Sequence, residues 1–339
     1  MKSTTPIALA AAALLGVYLI GMSAFEQAFF GWHFAREEVP LHDEWHWFRR
    51  SVNAVLCLAM VAALWRTGLR PEPVSAGARR VSWAIAALSV AAAGLLLASP
   101  VAYARVGAED SAIEWLSALL LIFASTLMAL SLRKELRSTP KSHRLRALGA
   151  AALCFLFFVM AGEEVSWLQR QIGFDAPESV AARNWQGEFN LHNFQTDIAE
   201  LALYAGTGIF LMFIPLLRES ALGRWPAFRA IFPLLPTRTV AALSAPMLIF
   251  TYSHWTLLPV QAAFWIGLAA CFAFAATAAS RGEKILWCAL TSWVVLAQVL
   301  HLVWGDTMVM PYDSTEYREL FIAIGLAGYG WQQWQRGDA

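Results

Sequence analysis

Ten stretches of about twenty apolar residues, spread along a chain of 339, constrain this protein more than any motif in it. They run over 6–25, 51–68, 81–99, 111–132, 147–163, 197–217, 239–257, 260–279, 284–304 and 316–334. About twenty helical residues cross a hydrocarbon layer, and inside that layer each backbone N–H and C=O must find its partner within the protein. Composition points the same way. Hydrophobic residues make up 58% of the chain and charged ones 14%, against about 25% charged in ordinary soluble domains. Soluble globular, disordered, collagen-like and disulfide-scaffold classes are therefore excluded. The expected fold is an all-α polytopic transmembrane helix bundle of about ten spans, one integral-membrane domain over 1–339. The first run reads as a retained helix, because the bond after Gly21-Met-Ser-Ala24 lacks a small residue at −3. Cys57, Cys154, Cys271 and Cys288 all fall in apolar runs and read as small buried hydrophobes.

Charge then orients the spans. With the N-terminus inside, 18 of the 25 Lys and Arg lie in or beside cytoplasmic segments, as positive residues do in inner membranes. Both termini are expected to be cytoplasmic. The predominance of arginine, 21 against 4 lysines, fits a bacterial inner-membrane protein from a high-GC source. The same threading places 19 of 24 Asp and Glu on the extracytoplasmic side, and six of seven His with them. The chemistry is expected on that outer face.

Three outer helix starts carry carboxylates three or four residues apart, hence on one helix face: Asp110 with Glu114, Asp197 with Glu200, and Glu316 with Glu319. Acids in a first helical turn suit the dipole, which accounts for Asp110, Asp197 and Glu316. Glu114, Glu200 and Glu319 sit about a turn deeper, where carboxylates are costly and mark function. Glu163 and Glu164 close another apolar run with no basic neighbour in sequence. If that helix continues, Glu163, Trp167 and Arg170 share a face and Arg170 pairs with one of the two acids.

The stretch 163–196 is too long and too rich in hydrogen-bonding side chains for a plain connector, and is expected to be an ordered extracytoplasmic loop or lid. The first extracytoplasmic segment, 26–50, holds His42-Asp43-x-x-His46. Two histidines at i and i+4 on a helix can share a zinc ion with the adjacent acid as base, although the zincin motif has Glu where Asp43 stands. His301 lies near an outer helix end and is expected to join His192 and Glu163.

Residues 161–194, AGEEVSWLQRQIGFDAPESVAARNWQGEFNLHNF, resemble an uncharacterised bacterial family of multi-span membrane proteins. The shared elements are G-E-E-x-S-W-x-Q-R and N-x-Q-G-E-x-N-L-H-N. The resemblance covers about a tenth of the chain and implies a polytopic membrane protein, with no activity attached. Intramembrane CAAX-type proteases carry an arginine four residues after their paired glutamates, whereas Arg170 lies six after Glu164.

Three readings follow. The first is an enzyme acting on a lipid or lipid-linked substrate by hydrolysis or group transfer. Its candidate catalytic residues are Glu163, Glu164, His192, Arg170, Glu114 and Glu200, with Glu164 as general base and Arg170 as an anion clamp. A divalent metal, zinc as first choice, would be held among Glu163, His192, His301, His42 and His46. The second is a proton, cation or small-solute transporter, which needs polar residues through the whole thickness. The third is a structural or assembly subunit docking a partner through its outer loops. No phosphate loop and no basic stripe is present, so neither an ATP-driven pump nor a nucleic-acid binder is supported.

Overall fold

In a computed structural model the protein is all-helical. It is described for residues 4–35, 40–108, 110–137, 142–181, 190, 196–228 and 230–336. Among these, eight helices are long and apolar enough to cross a membrane. They are α1 (Thr4–Phe30), α2 (Glu44–Arg66), α3 (Ala76–Ala98), α5 (Ala112–Leu136), α6 (Ser142–Glu164), a crossing over Thr196–Glu219, α12 (Leu258–Ala276) and α13 (Arg281–Trp304). Short helices α4 (Pro100–Val106), α7 (Gln169–Ile172) and α8 (Glu178–Ala181) lie in the connections. The Thr196–Glu219 crossing joins α9 (Thr196–Gly208) to α10 (Ile214–Glu219) through a π-helical turn at Ile209–Phe213.

The remaining two predicted runs depart from the simple pattern. The last, α14 (Thr315–Arg336), is long but carries charges and packs against α5 and against α11 (Arg238–Ser244). The run predicted over 239–257 is not one helix. It is α11, then 3-10 turns at Ala245–Leu248 and Tyr252–His254, with Pro246 at the break. A proline removes one helical N–H and obstructs the preceding turn. Irregular backbone inside a membrane protein is tolerated where protein buries it and supplies partners. Neighbouring helices do so here. Gln298 Nε2 donates to Leu248 O and Ile249 O, both at 2.9 Å, and Asn53 Nδ2 donates to Leu258 O at 3.0 Å. Arg49 donates to Thr256 O, and Gln261 to Trp255 O. Polar residues on α2 and α13 thus serve the broken crossing, which is almost wholly buried.

The two ends of the bundle differ in how they treat acids. At the basic end, Glu72 pairs with Arg218 at 2.9 Å and Glu135 with Arg146 at 3.6 Å. Glu219 and Glu283 pair with Arg238 at 2.5 and 3.0 Å. Each described acid there meets an arginine, Glu219 and Glu283 sharing Arg238. At the opposite end Glu26 of α1 pairs with Arg49 of α2 at 2.8 Å, both buried, while the remaining acids far outnumber the bases.

Candidate active site

The G-E-E-x-S-W element folds as it does because of one missing side chain. A Cβ on Gly162 would stand 2.8 Å from the Trp167 ring, so only glycine lets that indole fold back over α6. From there Trp167 Nε1 donates to Glu163 Oε1 at 2.7 Å. The helix predicted to continue past Glu164 instead stops there. Ser166, Trp167 and Leu168 all take left-handed backbone, with φ of +43°, +54° and +63°. Such a conformation disfavours each non-glycine residue by about 1–2 kcal/mol and is rarely met in series. Asp110 is the fourth non-glycine residue of positive φ among those described, and it borders the same cavity as Ser166. Backbone strain of this kind concentrates at functional sites.

The turn changes partners. Arg170 stands beyond the break rather than on a continued helix, and it forms an ion pair with Asp110. Ser166 Oγ accepts from Asn190 Nδ2 at 3.1 Å, so the serine of the first shared element meets an asparagine of the second. Ser166 and Asn190, 24 residues apart, thus border one site.

That site opens into a cavity of about 1220 Å³ between α6, α9 and α14, roofed by the α4–α5 connection. Nine carboxylates border it among the described residues: Asp110, Glu114, Glu163, Glu164, Asp197, Glu200, Asp313, Glu316 and Glu319, with Arg170 the one guanidinium. All three predicted acid-bearing helix starts and the Glu163–Glu164 pair therefore converge. Some of these acids also support the backbone, since Glu114 accepts from the N–H of Asp110 and Asp313 from that of Met310 at 2.9 Å. Glu200 Oε2 meets His254 Nε2 at 3.0 Å, and Glu319 accepts the hydroxyl of Tyr204. Arg318 lies over the Tyr204 ring, 4.2 Å from its centroid.

Glu164, Glu316 and Glu319 come closest to one another. One carboxylate oxygen from each lies within 4.8 Å of the other two. Two oxygens bound about 2.6 Å from a single cation can stand at most about 5.2 Å apart, so this spacing fits a hard ion directly. Glu316 and Glu319 also crown the N-terminal turns of α14, where the dipole favours negative charge. The ligand set expected from sequence differs from this one. His301 is fully buried away from the cavity. Its Nδ1 is 2.8 Å from Ala297 O and its ring faces Tyr252, so it does not join Glu163. His192 lies outside the described residues. Much of the 163–196 loop does too.

His42 and His46 do not form an i,i+4 pair on a helix, because α2 starts at Glu44 with Asp43 as its N-cap. Asp43 Oδ1 accepts from the His46 N–H at 2.8 Å and meets the His46 ring at 2.7 Å, while His42 Nδ1 faces Arg50 at 3.2 Å. The hydrogen bonds from His46, backbone first, hold the Asp43 carboxyl below the usual carboxylate range. Burial, aided by Arg50, pushes the His42 imidazole down. Asp43 serves as the N-cap of α2. An Asp43→Ala variant is expected to lose about 1 kcal/mol of stability in detergent melts, with bound metal unchanged.

The sequence places Glu316 and Glu319 on one helix face and marks Glu319 as functional but puts neither in the ligand set, and it does not single out Tyr204 or Ser166 as site residues. The i,i+4 spacing of Glu200 and Tyr204 was the available signal. Comparison with family models, characterised proteins and solved structures finds no match to this chain.

Proposed function

We propose that this protein is a membrane-embedded enzyme that hydrolyses, or transfers a group from, a lipid or lipid-linked substrate. One observation carries the reading: a single large cavity has a carboxylate-rich mouth and an apolar stem. Mobile apolar molecules carrying a polar head are what such a shape accommodates. The acids would act at the extracytoplasmic face of a bacterial inner membrane, the side assigned by the distribution of positive residues.

In this reading Glu164, Glu316 and Glu319 hold a divalent cation. Three carboxylate oxygens suit Mg²⁺, Mn²⁺ or Ca²⁺ better than zinc, which prefers nitrogen and sulfur donors. Bound there, the ion would polarise the scissile group of the substrate and stabilise developing negative charge. Glu200, oriented by His254, is placed to take a proton from an attacking water or hydroxyl. Glu163 is held by Trp167 and Arg170 by Asp110, so both shape the mouth.

The floor argues against a transport path. Phe210 packs on Tyr329 at 4.9 Å between centroids and Phe157 on the same ring at 6.4 Å, which closes the stem with aromatic rings. Elemental analysis of detergent-purified protein, after incubation with Mg²⁺, Mn²⁺ or Ca²⁺ and desalting, tests the reading. About one ion per chain is expected in the wild type, lost in Glu164→Gln and Glu319→Gln and kept in His301→Ala. Retention of the ion in both glutamine variants, or no ion from any of the three salts, overturns the metal-assisted mechanism.

A further inference from the structure

The acids occupy only the mouth of the cavity, and the shape of the rest has its own consequence. Glu163 to Leu153 on α6, and Glu200 to Phe210 on α9, are each ten residues, so the stem follows both helices for about 15 Å. That is about half of a hydrocarbon core. The lining repeats at helical spacing beneath each acid: Leu153, Phe157 and Met160 lead up to Glu164, while Leu203 and Phe210 descend from Glu200. Helix α6 packs along α5, and α9 along α12, with the stem between them.

The stem is open at its side. Leu156 of α6 is 48% exposed although it lines the cavity, and Ala202 and Gly206 of α9 are likewise exposed lining residues. A Cβ on Gly206 would meet nothing within 4 Å, whereas one on Gly208 would strike Ala263 of α12 at 2.8 Å. The two glycines therefore separate two faces of α9, one packed and one bordering a gap. A side opening at this depth, in a segment that spans a membrane, faces acyl chains and not water.

We propose that the gap between α6 and α9 is a lateral portal that admits one aliphatic chain of a membrane amphiphile, tail in the stem and head among the acids. This rests on the reading of the cavity as a lipid-substrate site. An aliphatic chain suits this gap because it is continuous with the acidic mouth, its walls are apolar, and it opens where only lipid is available. Direct passage from the bilayer also spares the substrate from leaving the hydrocarbon layer.

The test uses the full chain in nanodiscs with a phospholipid carrying a diazirine at the end of one acyl chain. After irradiation, labelled residues are mapped by mass spectrometry. Label is expected on Phe157 or Leu326, which are buried from bulk lipid at 1% and 2% exposure. It is expected to be lost in Gly206→Trp and in Leu156→Trp, which narrow the portal from opposite sides, and kept in Leu119→Trp on the outer face of α5. Label confined to lipid-facing residues such as Val17 and Ile20 overturns the portal, as does label at Phe157 or Leu326 that survives both narrowing variants. The two readings fail separately. Loss of metal binding with the label retained sinks the metal chemistry alone, and bound metal with no interior label sinks the portal alone.

Discussion

Replacing Arg238 with leucine is expected to lower the unfolding free energy by about 3–5 kcal/mol, the largest effect of any single substitution considered. The guanidinium is fully buried and serves two buried carboxylates at once. Its Nε donates to Glu219 Oε1 at 2.8 Å and its Nη2 to Glu219 Oε2, while Nη1 reaches Glu283 Oε1 at 3.0 Å. It also lies 4.8 Å from the centroid of Phe274. Removing the cation leaves two carboxylates in a low-dielectric interior with their compensation gone, and that uncompensated charge dominates the loss. The shape of leucine does not repair it. Adding Glu219→Gln and Glu283→Gln to the variant is expected to recover a large part of the loss, since neutral amides need no counter-ion. Chemical unfolding in mixed micelles, followed by tryptophan emission, measures both. If Arg238→Leu melts like the wild type, or if the triple variant recovers nothing, the account of this network is wrong.

The second large effect is expected at Gln298. Its amide makes three bonds to the broken crossing: two donated to Leu248 O and Ile249 O, and one accepted from Trp255 Nε1 at 2.9 Å. Gln298→Leu keeps the volume and strands the Ile249 carbonyl and the Trp255 indole N–H in a dry interior. Each unsatisfied group there costs about 1–3 kcal/mol, while Leu248 O keeps the Thr251 hydroxyl at 2.9 Å. A loss of about 2 kcal/mol or more is expected from these two groups together. Gln298→Glu retains an acceptor for Trp255 but, protonated in the dry interior, offers one O–H in place of two N–H donors, so it is expected to rescue the fold only in part. The same unfolding measurement decides, with Leu119→Trp on the outer face of α5 as a neutral control. A wild-type unfolding curve for Gln298→Leu would show that the carbonyls find other partners.

These two positions show why some of the structure was hidden in the chain. Arg238 sits in a basic segment, and its acids lie 19 residues before it and 45 after it. Nothing local marks them as partners. Gln298 is a lone amide in an apolar run, 50 residues from the carbonyl it satisfies. Pro246 was visible, yet a proline alone does not say whether a crossing bends or breaks. The apolar run from Leu258 is hydrophobic all round and so carries no face to orient it. The candidate site was more legible. Paired acids at i,i+3 or i,i+4 announced faces on α5, α9 and α14, and the convergence of those faces with Glu163–Glu164 is what the structure adds. The i,i+4 spacing of His42 and His46 implies a shared helix only if both residues lie inside it, and the helix begins after His42.

The sequence by itself determined the solvent this chain folds in, the all-helical class, and which end is basic and which acidic. Those properties are additive along the chain: length of apolar run, local periodicity, and the sum of charge in each connection. Tertiary structure alone decided which acids meet an arginine and which gather around the cavity. Charge compensation depends on distances between side chains that the sequence separates, as when Tyr204 meets Glu319 across 115 residues. At the basic end packing brought an arginine to every described carboxylate; at the other, among the described residues, it brought nine carboxylates and a single arginine around one cavity.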